Sequence, residues 1–176
     1  MTGTSTPATN EVIASASQNA TFSPYLAFDN NLSDSNRWSS GSVGGVAWIR
    51  YDFGTGTTRN LKRYDIASSS PYPPKAWKFE GNDTPQDTNT WLVLDTQTNQ
   101  TIWTDFAYNT YTLAGTWTFR SYRLNISAGN DAQIVTINEV RLISIDNVTE
   151  TLTRLHVGTS GTVLIGTTTV NGTTTP

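Results

Sequence analysis

The chain contains no cysteine. Disulfides, thiolate nucleophiles and cysteine-ligated zinc are therefore excluded together. Histidine is reduced to one residue, His156. A Ser-His-Asp arrangement would have to use it, and no nucleophile-elbow sequence is present. Charge is sparse as well, at 14% of residues with a net value of −3. That balance lacks the electrostatic footprint of a nucleic-acid binder, and Arg59, Lys62 and Arg63 read as a solvated rim beside a strand. Long apolar runs are missing, so no membrane-inserted span is expected. Residues 1–10 are small and polar, which predicts a linker rather than a signal peptide or an anchor. Helical periodicity is missing too, and no helix of ordinary length is expected.

What the chain does have is aromatic: six Trp, seven Tyr and six Phe. These offer large areas to bury, and 176 residues suit one domain with a short appendage. The abundance of Thr, Ser and Asn is that of an extracellular-style β-protein. In so Asn- and Thr-rich a chain, the Asn-x-Ser/Thr triplets at Asn19, Asn125 and Asn147 are read as coincidence.

Apolar residues recur with period two in short runs. Ala47, Ile49, Tyr51 and Phe53 share one strand face, with Trp48, Arg50 and Asp52 on the other; Tyr122, Leu124 and Ile126 alternate with polar partners. Further strands are predicted over 11–16, 61–67, 76–81, 90–95, 101–105, 108–113 and 135–145, a spacing that fits a sandwich or barrel. Around Asn138-Glu139 the alternation slips: Val135 and Ile137 are on one phase, Val140 and Leu142 on the other. Such a slip marks either a β-bulge or a segment buried on both faces.

The densest cluster of hard oxygen donors is Ala27-Phe28-Asp29-Asn30-Asn31-Leu32-Ser33-Asp34-Ser35-Asn36-Arg37-Trp38. Carboxylate, amide, hydroxyl and backbone oxygens lie there within reach of one another, as calcium requires. The same residues also simply make turns. In order after it come Trp38-Ser39-Ser40, Val46 to Gly54, Pro74-Lys75-Ala76-Trp77-Lys78-Phe79-Glu80-Gly81-Asn82-Asp83, Trp91-Leu92-Val93-Leu94-Asp95 and Ile137-Asn138-Glu139-Val140-Arg141-Leu142. As an ordered set these segments resemble the discoidin, or coagulation-factor type C, superfamily and its carbohydrate-binding relatives. The resemblance implies an all-β, galactose-binding-like jelly-roll β-sandwich over residues 11–146. It also implies a structural calcium ion that clips the first loop to the last strand. Its ligands would be the Leu26 carbonyl, Asp29, Asn31, either Ser33 or Asp34, and Glu139. Asn30 stands where the family usually has Gly, and Asn tolerates the left-handed turn.

Sugar recognition needs an aromatic plate for the ring and planar polar groups for its hydroxyls. Relatives place these on loops at one end of the sandwich, here 39–45, 68–75 and 128–133, joined by 19–25. Ser70-Pro71-Tyr72-Pro73-Pro74-Lys75 is the leading candidate, since prolines lower the ordering cost of binding. Tyr72 would be the plate, unless it packs on its own prolines. Ser70, Lys75, Ser40, Asn130, Asp131 and Tyr25 would complete the site. Trp38, Trp48 and Trp77 are read as core. The His and Arg that galactose-binding relatives use on these loops are absent.

From 147 to 176 the chain is dominated by Thr, Gly and Val. Leu155-His156-Val157 and Val163-Leu164-Ile165 resemble the short units of bacteriophage tail fibres. Their alternating apolar positions are too sparse to form a core alone, which favours a homotrimer; the other reading is a disordered Thr-rich tail. Nothing marks a pair of catalytic carboxylates, so no enzymatic activity is expected. The function expected is a non-catalytic carbohydrate-binding module of a phage or viral fibre, spike or capsid decoration. It would sit on the virion surface and attach to host-surface glycans. The alternatives are a cap that binds only other virion proteins, and a module of a larger glycosidase.

Overall fold

The computed structural model describes residues 11–86 and 90–144 throughout, and the backbone of 150–157 and 163–170. The chain divides into two compact units, Met1–Ser144 and Ile145–Pro176. The expected linker at 1–10 lies outside the described residues.

In the first unit the strands are β1 Val12–Ala14, β2 Trp38–Ser39, β3 Ala47–Asp52, β4 Arg59–Ala67, β5 Pro74–Asn82 and β6 Leu92–Gln97. They continue with β7 Tyr108–Phe119, β8 Ser121–Gly129, β9 Thr136–Ile137 and β10 Glu139–Ser144. Two short 3-10 turns, Ala20–Phe22 and Pro24–Phe28, lie between β1 and β2. Among the described residues no helix is long and apolar enough to cross a membrane.

One sheet runs β1-β3-β8-β5-β6 and a second β10-β4-β7, with β2 and β9 forming a short ladder. Their inner faces meet in an aromatic core. Tyr64 of β4 stacks on Phe79 of β5 with ring centroids 4.1 Å apart, and Phe79 stacks in turn on Tyr122 of β8 at 5.6 Å. Offset aromatic pairs of this kind add to the burial of their area. The alternation read in β3 and β8 is the one observed: Ile49, Leu124 and Ile126 are buried, while Arg50, Arg123 and Asn125 occupy the opposite face. Trp38 and Trp77 are core residues, but Trp48 is only half-buried and carries the Arg50 guanidinium 5.8 Å over its ring.

Two strand expectations change. Residues 101–105 form no strand, because no partner strand lies beside them; Trp103 leans on Trp77 and donates its indole N–H to the Gln100 carbonyl. The expected strand at 135–145 is two strands. β9 pairs with β2, the Asn138 N–H turns to the Ala67 carbonyl at 2.9 Å, and β10 pairs with β4. The phase slip is thus a change of partner, and residues 135–140 are buried throughout.

In the second unit, β11 Glu150–Val157 and β12 Val163–Val170 pair antiparallel, with Leu155 opposite Ile165 and Val157 opposite Val163. The rest of the expected tail lies outside the described residues.

Candidate functional site

Three of the loops picked out from sequence are tied together by their backbones. The loop after β2 is held to the loop before β9: Ser40 N–H donates to Val135 O at 2.9 Å, and Val43 and Gly45 N–H both donate to Gln133 O at 3.0 Å. Gly45 has φ +70°, and a Cβ there would meet Asp131 O at 3.1 Å, so the close approach needs glycine. The loop between β4 and β5 joins them through Asn130 N–H to Pro73 O at 2.9 Å and Thr136 N–H to Tyr72 O at 2.8 Å.

A fourth loop, 98–107, was not foreseen. Gln100 N–H donates to Lys75 O, Phe106 N–H donates to Ser68 O, and Asp105 Oδ1 accepts the Ser70 N–H at 2.7 Å. Its sequence signal is the turn-rich run Thr98-Asn99-Gln100, where Asn99 has φ 55°. Ile102, at 86% exposure, stands at its tip.

The expected ligand-binding residues divide accordingly. Tyr72 is half-buried, Lys75 half-buried and Ser70 exposed, all on the stiff segment. Asn130 and Asp131 serve the loops themselves. The Asn130 amide donates to the Gln100 carbonyl at 2.9 Å, and Asp131 Oδ1 accepts the Gln133 and Ile134 N–H groups. Ser40 does not face solvent: it is 1% exposed, accepts Val135 N–H and donates to Gly41 O. Tyr25 packs against the edge of the core. Ser40 is a correction, since its buried hydroxyl is committed within the loops; Tyr25 is half-buried, as Tyr72 is.

The oxygen-rich loop forms a second cluster. Asn30 has φ 62°, the left-handed turn expected of it. Its N–H donates to Glu139 Oε2 at 2.8 Å. The Leu26 carbonyl, Asp29 Oδ1 and the Asn31 carbonyl converge, but on a residue the sequence reading passed over: the Asn36 amide nitrogen lies 3.4, 2.8 and 3.1 Å from them. Ser33 and Asp34 stand outside this cage. The Ser33 carbonyl accepts from Asn138 Nδ2 at 3.3 Å, and Asp34 pairs with Arg37 at 2.8 Å with its side chain 78% exposed.

Glu139 is 3% exposed. Burial pushes its carboxyl up to about 8, the Asn30 N–H opposes this, and the neighbouring Asp29 adds to it. Burial raises Asp29 too. Two carboxylates, two carbonyls and an amide suit a hard cation once the amide presents its oxygen. Among the described residues no three of His, Cys, Asp and Glu gather, so such a site would depend on neutral oxygens.

No protein-family model and no curated protein matches the chain. Solved structures do. Chitosan-binding module 2 of a chitosanase/glucanase from Paenibacillus sp. IK-5, solved with chitotriose, is similar at TM-score 0.62 and 19% identity, over 76% of this chain and 95% of that one. The fold is that of the discoidin-like carbohydrate-binding modules. The galactose-bound family 32 module of NanJ from C. perfringens is similar at TM-score 0.58 and 15% identity, over 76% of this chain and 94% of that one. The family 32 module of AlyQ, bound to 4,5-unsaturated mannuronic acid, matches at TM-score 0.56 and 21% identity, over 75% and 92%.

Proposed function

We propose that the discoidin-like domain is a non-catalytic carbohydrate-binding module of a phage or viral fibre, spike or capsid decoration, holding host-surface glycans through its joined loops. The observation that supports this most is its likeness, along nearly their whole length, to modules solved with bound sugars. In this reading Tyr72 supplies the plate, while Ser70 and Lys75 supply hydrogen bonds. Asn130, Asp131 and Asp105 hold the loops in place. The Thr/Gly-rich tail would join three copies, and multivalent display would offset weak single sites. A two-stranded hairpin is marginal by itself, which favours such partners. The oxygen-rich loop would hold a structural calcium through Leu26, Asp29, Asn31, Asn36 and Glu139, and would not touch the sugar.

A second reading, a module detached from a larger glycosidase, is favoured by the origin of the Paenibacillus module in a chitosanase/glucanase.

A microbial glycan array probed with the full chain and with Tyr72→Ala tests the site. Binding that disappears in the variant supports the reading; binding that survives moves the site off Tyr72. Silence of the unaltered chain across the array overturns the lectin function and leaves the virion cap.

A further inference from the structure

The oxygen-rich loop is closed by hydrogen bonds of its own. Three of the oxygens that the calcium reading assigns to a metal surround the Asn36 amide nitrogen, with Asp29 Oδ1 nearest at 2.8 Å. An amide NH2 group carries two N–H donors, whose hydrogens are the complement such a cage needs. The loop is also pinned directly to the last strands, by Asn30 N–H to Glu139 Oε2, Asn138 Nδ2 to Ser33 O, and Arg141 Nη2 to Asn30 Oδ1 at 3.4 Å. These bonds do the clipping that the resemblance assigns to calcium.

We propose that the Asn36 side chain is a built-in surrogate for the cation. Its nitrogen closes the loop in the metal-free protein, and its oxygen, reached by turning the nearly symmetrical amide over, joins the cage when calcium enters. The second half rests on the calcium reading; the first does not. Chelation should then leave the fold almost untouched, unlike a loop whose oxygens have only the metal to face.

Asn36→Asp tests this, since it keeps the shape and exchanges the donor for a second acceptor. Without metal the new carboxylate faces Asp29 and two carbonyls with nothing to donate. Thermal melting is compared in EDTA and in millimolar calcium, with calcium titrated by calorimetry. The unaltered chain should melt within about 2 °C in the two conditions, a shift of at most about 1 kcal/mol for a chain of this size. Asn36→Asp should melt about 5 °C lower in EDTA and recover in calcium. Asn36→Ser, which removes the amide without adding charge, should fall by about half as much in EDTA.

The proposal is overturned if the unaltered chain loses as much on chelation as Asn36→Asp does, or if Asn36→Asp melts like the unaltered chain in EDTA. If Asn36→Asp falls in EDTA, stays low in calcium and neither protein takes up calcium, the calcium reading fails while the metal-free closure stands.

Discussion

Asp52, at the end of β3, has both carboxylate oxygens committed to Arg120, at 2.8 Å each, and also accepts the Gly54 N–H at 2.9 Å. Burial alone would raise its carboxyl, but the Arg120 and Gly54 bonds outweigh that and hold it below the ordinary 3.8. A folded-state value below the unfolded one gives stability that is present above the unfolded value and is lost as pH falls through the folded one. Asp52→Asn should therefore lower the urea midpoint near pH 7, and the gap to the unaltered protein should narrow as pH drops to about 3. A gap of constant size across that range would show that the charge contributes nothing. Residues such as Asp52 are visible in sequence only as polar positions on a strand, because their partners come from far along the chain. Asn36 is the sharper case. Its place among turn-forming residues gave no sign that three oxygens converge on it, whereas the left-handed Asn30 followed from the resemblance, which has Gly at that place, and from the tolerance of Asn for that turn.

Between elements, the two sheets are joined by a hydrogen-bonded relay as well as by packing. Trp77 Nε1 of β5 donates to Tyr64 Oη of β4 at 3.0 Å, and that hydroxyl donates to Asp95 Oδ2 of β6 at 2.7 Å. Trp77 is 1% exposed, so removing the hydroxyl strands its indole N–H in the core. Tyr64→Phe should cost roughly 1–3 kcal/mol in chemical denaturation, the usual penalty for a buried donor left unpaired; a loss within error would mean that water reaches the indole. The sandwich itself was legible, since strands such as β3 and β8 bury alternate residues and alternation needs no knowledge of partners. The loops were legible only in part. Residues 101–105 carry strand-like Thr and Trp, yet what makes a strand is a neighbour to pair with; here the Gln100 and Phe106 N–H groups on either side brace Lys75 and Ser68, and the Asp105 carboxylate accepts the Ser70 N–H. Likewise Ser40 looked displayed in sequence, and it is buried because β2 and the segment before β9 close over it.

For the whole molecule, the division at Ser144 separates a unit with its own aromatic core from one whose described backbone is a single hairpin. A chain ending at Ser144 should fold with the melting temperature of the full-length domain and run as a monomer in light scattering, while the full chain runs as three copies. A monomeric full chain would remove the fibre reading and revive the detached module. One short segment spans the first unit from end to end of its functional geometry. Over residues 135–139, Val135 holds the Ser40 loop, the Thr136 N–H holds the Tyr72 carbonyl, Asn138 reaches Ser33, and Glu139 receives the Asn30 N–H. The oxygen cage and the joined loops therefore share one short segment. A sugar and a cation that both favoured one position of this segment would, by thermodynamic reciprocity, each strengthen the other's hold by the same factor.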